Sequence, residues 1–299
     1  MNSIALIVNP AAGRGSIRRI LPDIVEAFRA VGIAKIYETA RPGEQVTLAT
    51  RALNDGAAAI VAVGGDGTSS GIANAILQSR SACRLAVVPV GTGNDFAKTL
   101  GVEKLPPQEI AKFVQNGQEK RIDVGLSDGR YFLNSCGFGF DASVLEASNR
   151  VRFLKGDAVY IYSALRQLFV YRGIDVVASG APGVQRGRML MITVSNGRFL
   201  GGAFKIAPHA SVLDGKLDAC FFSNANIFER VKLFAGALHG THLGMPSVST
   251  ASVRELALTF ANNPLMEIDG ELRSARSKTV ELKCIPRTLS VVAAPGALV

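Results

Sequence analysis

Along the first 115 residues, short apolar runs alternate with amphipathic stretches. Residues 4–8, 59–63 and 84–90 are almost continuously apolar, as strands buried on both faces are. After Ser16, a candidate helix cap, the residues Ile17, Ile20, Leu21, Ile24, Val25, Phe28 and Val31 recur at helical spacing until Gly32. Pro22 inside that stretch predicts a bend or a later start. A strand near 34–39 and helices near 43–53, 68–78 and 107–115 complete the pattern, with a short helix from Asn94. Such alternation implies parallel βαβ units in a three-layer α/β domain.

The pattern changes near Arg121. Residues 122–126 and 131–134 flank Ser127-Asp128-Gly129 and read as a hairpin. A helix is expected over 156–172, where Val159, Ile161, Leu165, Leu168 and Phe169 supply the apolar positions. Beyond Gly173 the periodicity is mostly that of strands, at 174–179, 187–195, 216–222, 252–260, 265–269, 278–285 and 288–293. A helix near 226–238 interrupts them. The expected organisation is therefore an α/β domain over 1–123 and a β-rich domain over 124–285.

Composition narrows the class. The chain has 299 residues, 48% of them hydrophobic and 19% charged, as a globular protein has. No apolar run approaches the ~20 residues of a membrane span. The first residues lack the basic region of a signal peptide and run straight into a strand. Cys83, Cys136, Cys220 and Cys284 are widely spaced and read as reduced thiols. His239 and His242 could share a helix face but have no partner ligands nearby in sequence, which favours packing or surface roles. The net charge is +9, and residues 150–205 hold nine basic residues, from Arg150, Arg152 and Lys155 to Lys205, against Asp157 and Asp175. Nucleic acid could take such charge, but no nucleic-acid motif accompanies it. An anionic membrane surface, or plain solvation, accounts for it as well.

Three strand ends carry Gly-rich polar loops. They are Asn9-Pro10-Ala11-Ala12-Gly13-Arg14-Gly15-Ser16, Gly64-Gly65-Asp66-Gly67-Thr68 and Gly91-Thr92-Gly93-Asn94-Asp95-Phe96-Ala97. Ligands of open α/β sheets bind at the carboxyl ends of strands. Glycines let backbone approach a ligand closely, and a helix N-terminus suits phosphate. Asp66 would repel phosphate unless a cation lay between them, which suggests a nucleotide carrying Mg²⁺. A tight turn with a solvated Asp66 is the competing reading. There is no G-x-x-x-x-G-K-[ST] sequence, so the site is not a P-loop. Residues 137–142 formally match G-x-G-x-x-A but lack a clear βαβ setting.

These loops, in this order and spacing, resemble the catalytic domain of diacylglycerol kinases, especially the soluble bacterial lipid kinases related to sphingosine and ceramide kinases. The likeness continues through Gly137-Phe138-Gly139-Phe140-Asp141-Ala142, Ser195-Asn196-Gly197-Arg198-Phe199-Leu200-Gly201-Gly202, Ile206-Ala207-Pro208, Leu213-Asp214-Gly215-Lys216-Leu217-Asp218 and Ile268-Asp269-Gly270-Glu271. It implies an N-terminal domain like that of NAD kinases and phosphofructokinases and a C-terminal β-sandwich, with 286–299 returning to the first domain. It implies ATP binding by Asn9, Pro10, Gly13, Thr39, Gly65, Asp66, Gly67, Thr68 and Thr92. By the same resemblance Glu271 is the proton acceptor, Asp269 orients the acceptor or assists Mg²⁺, and Asp66 serves the nucleotide. Ser211, Asp214 and the Lys216 carbonyl would hold a second, structural Mg²⁺. From spacing alone, Asp269-Gly270 and Asp214-Gly215 are also simple turns. Where relatives often carry Leu-Asn-Glu, this chain has Ser69-Ser70-Gly71, which puts nucleotide contacts at 70 and 71 in question.

The implied function is transfer of the γ-phosphate of ATP to a lipid hydroxyl, foremost that of diacylglycerol. Phosphatidylglycerol, a polyprenol or a sphingoid base are alternative acceptors. A NAD kinase is a further enzyme alternative, and a non-catalytic lipid- or nucleotide-binding regulator a different class. The expected setting is cytoplasmic with peripheral attachment to an anionic membrane, no nucleic-acid partner, and a homodimer allowed.

Overall fold

The computed structural model describes residues 3–15, 17–32, 35–116, 119–150, 157–180 and 185–298. The cap at Ser16 and the basic residues Arg152 and Lys155 lie outside them. The chain divides into two compact units. One comprises Met1–Val124, Val212–Asp214 and Pro286–Val299, and the other Gly125–Ser211 and Gly215–Ile285.

The first unit opens with β1 (Ser3–Val8), α1 (Ile17–Arg29), β2 (Lys35–Glu38), α2 (Glu44–Asn54), β3 (Ala57–Gly64), α3 (Asp66–Gln78) and β4 (Arg84–Pro89). It continues with α4 (Asp95–Thr99), α5 (Pro107–Gln115) and the start of β5 (Lys120–Ser127). Strands β2, β1, β3 and β4 lie side by side in that order and run parallel. Every residue of β3 except Ala58 is buried, so both faces of the sheet are covered, as parallel sheets require. The helix α1 runs through Pro22. The chain terminus adds a strand here too: Val291 pairs in parallel with Leu85, and Ala294 N–H donates to the Leu100 carbonyl at 2.9 Å.

The second unit takes in the end of β5 and then β6 (Arg130–Phe132), β7 (Ser135–Gly139), α6 (Phe140–Arg150), α7 (Asp157–Val170), β8 (Ile174–Ser179), β9 (Gln185–Ser195), β10 (Leu217–Ser223) and α8 (Ile227–His239). The strands β11 (Val248–Val253), β12 (Glu255–Phe260), β13 (Leu265–Ile268), β14 (Glu271–Ser274) and most of β15 (Thr279–Val291) close it. The pairings of β7 to β14 are antiparallel, and β9 is the hub, bonding to β7, β8 and β10. Strand β10 shows how two cores arise. Leu217, Ala219 and Phe221 enter one apolar cluster with Phe138, Ile192 and Leu258. Cys220 and Phe222 point to the other, under α6, α7 and α8.

Three expectations change. Residues 252–260 are two strands rather than one, because the chain bends at Arg254: β11 pairs with β10, whereas β12 pairs with β8 and β15. Conversely, 278–293 holds one long strand that passes Pro286, with Arg287 at φ +48° and its N–H on the buried Asp123 carboxylate at 2.7 Å. Helix α6 was not anticipated, because its sequence carries few apolar residues at helical spacing and its helix begins directly at the end of β7.

Candidate functional site

In the first unit, β1, β3 and β4 are neighbours, so their three carboxyl-end loops lie side by side. Asn9 N–H bonds the Val63 carbonyl and Val90 N–H the Gly64 carbonyl, both at 3.0 Å. Thr39 N–H, after β2, bonds the Val8 carbonyl at 2.9 Å, which brings Thr39 to the same edge. Side chains then tie the loops together. The Asn9 amide donates to Thr68 Oγ1 at 3.3 Å, and its Oδ1 accepts from Ala11 N–H. Asp66 Oδ1 accepts from Phe96 N–H at 2.9 Å, so the aspartate of the second loop caps the short helix of the third. The glycines are explained by contact. A Cβ on Gly91 would sit 2.5 Å from Gly65 Cα, and one on Gly64 would sit 2.4 Å from Thr68 Oγ1.

Thus Asn9, Pro10, Gly13, Thr39, Gly65, Asp66, Gly67, Thr68 and Thr92 all lie at one sheet edge, where the thirteen-residue α3 begins at Asp66. Its first turn supplies the N–H groups and positive dipole end that phosphate favours. Lys98, in α4 just past the third loop, is held by the Gly93 carbonyl at 2.8 Å and the Asp95 carboxylate at 3.0 Å. Ser69, Ser70 and Gly71 are buried inside α3. A Cβ on Gly71 would meet the Gln45 side chain at 2.8 Å, and Gln45 in turn donates to the Gly67 carbonyl at 3.3 Å. The small residues there admit Gln45 from α2 against the second glycine loop.

In the second unit, Asp269 and Gly270 form a two-residue turn between β13 and β14, with φ of +47° and +85°. The Asp269 side chain is buried. Its carboxylate accepts from the N–H groups of Leu133 at 2.9 Å, Asn134 at 2.8 Å and Ser135 at 3.3 Å. Asp269 N–H returns a bond to the Ser135 carbonyl at 3.1 Å. That geometry ties the turn to the backbone segment 133–135. Glu271 sits just past the turn and is about one-third exposed. Its Oε2 accepts from Arg130 Nη2 and Arg273 Nη2, each at 2.9 Å. Its Oε1 takes part in neither bond. Gly270 N–H donates to the Glu267 carboxylate.

One residue without a role in the sequence reading stands out. Asp141, at the start of α6, is buried, with Oδ1 accepting from Ala142 N–H at 2.7 Å and Oδ2 lacking a hydrogen-bond partner. Burial pushes its carboxyl up to about 7. The glycine pattern at 137–142 makes room for it: a Cβ on Gly137 would overlap Asp141 Oδ2. No dinucleotide fold surrounds it, since β7 pairs antiparallel on both sides.

The metal-binding expectation has thinner support. Ser211, Asp214 and Lys216 sit on the turn segment before β10, with Asp214 and Lys216 exposed. Among the described residues, no group of three or more His, Cys, Asp or Glu could hold an ion. The donors at hand are a hydroxyl, a carboxylate and a carbonyl, all oxygens, the type a hard cation that keeps its waters accepts. His242 is buried, with Nε2 3.0 Å from the Ile206 carbonyl, while His239 is exposed on α8. Burial pushes the thiols of Cys83 and Cys220 up to about 12, so they are protonated packing groups.

Phosphate-suited loops on a parallel sheet, with a carboxylate-bearing turn in a β-sandwich, define a kinase-type phosphotransferase. Residues 3–127 match the diacylglycerol kinase catalytic domain, and residues 134–293 match the YegS C-terminal NAD kinase beta sandwich-like domain. The chain belongs to this family of lipid kinases and is an enzyme of that class. A diacylglycerol kinase of Bacillus subtilis (strain 168) is 26% identical over 273 residues, 91% of this chain and 90% of the relative. One of Staphylococcus saprophyticus is 26% identical over 271 residues, 89% of this chain and 88% of the relative. The crystal structure of a diacylglycerol kinase from Bacillus anthracis str. Sterne shares the fold, with a TM-score of 0.76 at 21% identity over 100% of this chain and 98% of that one.

Proposed function

We propose that this lipid kinase transfers the γ-phosphate of ATP to the hydroxyl of diacylglycerol, giving phosphatidic acid. The observation that carries the nucleotide side is the cross-bonding of three Gly-rich loops at one sheet edge, with Asp66 fastened to Phe96 and Asn9 to Thr68. The relatives' names support the acceptor. The acceptor oxygen forms a bond to the γ-phosphorus, the bond to the β,γ-bridging oxygen breaks, and ADP leaves. Glu271 takes the hydroxyl proton on its carboxylate, which Arg130 and Arg273 orient. Asp269 acts as a positioning residue through the segment 133–135. Asp66 stands among the phosphate-suited N–H groups as the carboxylate that would face Mg²⁺ carried with the nucleotide. Such an ion, when bound, neutralises charge on the phosphates. A structural Mg²⁺ on the oxygens of Ser211, Asp214 and Lys216 belongs to the same proposal, as does action in the cytoplasm with peripheral attachment to the membrane.

The test is incubation with γ-labelled ATP and a total lipid extract, followed by identification of the labelled lipid. Label in phosphatidic acid is expected. Label only in a phosphorylated polyprenol, phosphatidylglycerol or sphingoid base replaces the acceptor. ATP binding with no labelled lipid overturns the reading. Glu271→Gln keeps shape and removes the base, so kcat falls about 10²–10⁴-fold with ATP affinity held.

A further inference from the structure

Soluble helices turn their apolar stripe inward. Helices α7 and α8 bury one face as expected: Leu168 and Leu233 enter the same apolar cluster, packed beside Phe140 and Phe222. The two helices are also bonded, since the buried Arg230 guanidinium donates to the Leu168 carbonyl at 2.7 Å. With both inner faces on one cluster, both outer faces point away from it on the same side of this unit.

Those outer faces are apolar too. On α7, Tyr162, Leu165, Phe169 and Val170 are exposed at helical spacing, Phe169 to 71%. On α8, Phe228, Val231 and Leu238 are exposed, Phe228 to 78%. Of the nine large apolar side chains exposed among the described residues, seven lie on these two helices. Scattered exposed apolar side chains are ordinary, but a concentrated patch marks an interaction surface. Its charge among the described residues is mainly positive. Arg166 and Lys232 lie on the outer faces, both exposed, and neither joins an ion pair among the described residues. Arg172 follows α7 and is also exposed. The acidic residue of this stretch of α8, Glu229, is engaged in the capping box with Asn226. No helix of the described residues is long and apolar enough to cross a membrane.

We propose that the outer faces of α7 and α8 form the surface that seats this enzyme on an anionic lipid bilayer. Leu165, Phe169, Phe228 and Val231 enter the headgroup–acyl boundary, and Arg166, Arg172 and Lys232 meet anionic headgroups. The pattern is that of interfacial helices, apolar residues flanked by cations. Charge separates this occupant from a second copy of the chain. A two-fold pairing of the patch with itself would bring like cations together, whereas anionic lipid neutralises them. The inference rests on the lipid-kinase reading only for its purpose, and the test separates the two.

Sedimentation with vesicles of phosphatidylcholine and of phosphatidylcholine containing 30% phosphatidylglycerol (about one lipid in three, chosen for charge) measures the partition directly. Wild-type binding to the anionic vesicles is expected. Leu165→Ser with Phe169→Ser and Phe228→Ser lowers it about 100-fold by removing apolar area. Arg166→Ser with Lys232→Ser lowers it about 30-fold on anionic vesicles, at ~1 kcal/mol per cation, and leaves binding to neutral ones unchanged. Both variants keep wild-type turnover on a short-chain diacylglycerol dispersed in detergent, since neither touches the proposed chemistry. Phe228→Ser alone, with its melting curve, guards against misfolding of the triple variant. Unchanged vesicle binding in the triple variant overturns the proposal. So does a wild-type dimer in solution that the triple variant dissolves while wild type fails to bind vesicles. A wild type that binds vesicles through this face yet labels no lipid upholds the surface and defeats only the kinase assignment of its acceptor.

Discussion

Asp269→Asn tests whether the turn before Glu271 is held by a structural carboxylate. The Asp269 carboxylate accepts from three backbone N–H groups at 2.8–3.3 Å. Hydrogen bonds to a charged group contribute ~1.5–3 kcal/mol each. Asparagine keeps one oxygen, removes the charge, and turns an NH₂ group toward an N–H donor of the segment 133–135. The local cost is about 3 kcal/mol, an estimate from one bond lost and the others weakened. Backbone strain does not enter, because asparagine tolerates the φ of +47° that Asp269 adopts. The assay is amide hydrogen exchange at Leu133, Asn134 and Ser135. A cost of about 3 kcal/mol speeds their exchange roughly 100-fold when they open locally. Turnover also falls, because the loosened turn no longer fixes Glu271. Lost turnover with exchange unchanged at 133–135 would refute the structural account and make Asp269 a direct participant in the chemistry.

Gly91→Ala should separate the first unit's loops: its Cβ would lie 2.5 Å from Gly65 Cα and 2.9 Å from Asn94 Oδ1. Backbone cannot yield as a side-chain tip can, so a stability loss of about 1–3 kcal/mol and ATP binding weakened at least about tenfold are expected by melting and calorimetry. Asp141→Asn tests the buried acid. The native carboxyl, pushed by burial to about 7 from an ordinary 3.8, keeps its proton where the unfolded one has lost it. Wild-type stability therefore falls as pH rises from about 4 to 7 and stays lowered above. The variant should be more stable than wild type at pH 8, by an amount that shrinks as pH falls toward 4 and vanishes near the ordinary carboxylate range. A pH-independent difference between the two melting curves would exclude the raised carboxyl.

The sequence by itself determined the features that neighbours along the chain create. Apolar runs at 4–8, 59–63 and 84–90 announced buried parallel strands, because no residue of such a strand faces water. Glycine loops at their ends marked the candidate phosphate site, since strand, turn and helix start are contiguous. The order of these loops, with Asp269-Gly270-Glu271 far behind, carried the family. Long-range closure decided the rest. Asp269 finds its three donors 134 to 136 residues away, and Glu271 finds Arg130 at a separation of 141. Nothing local distinguishes such a carboxylate from one on a bare turn. Ser69-Ser70-Gly71 carries no local sign that Gln45, from another helix, packs against Gly71. Helices α7 and α8 carry apolar residues on both faces, so periodicity could not say which face meets water. The tertiary structure decided that by burying Leu168 and Leu233 against β9 and β10, which left Phe169 and Phe228 outside. A side chain's burial is a property of what the whole chain brings against it, and that is fixed only when distant segments meet.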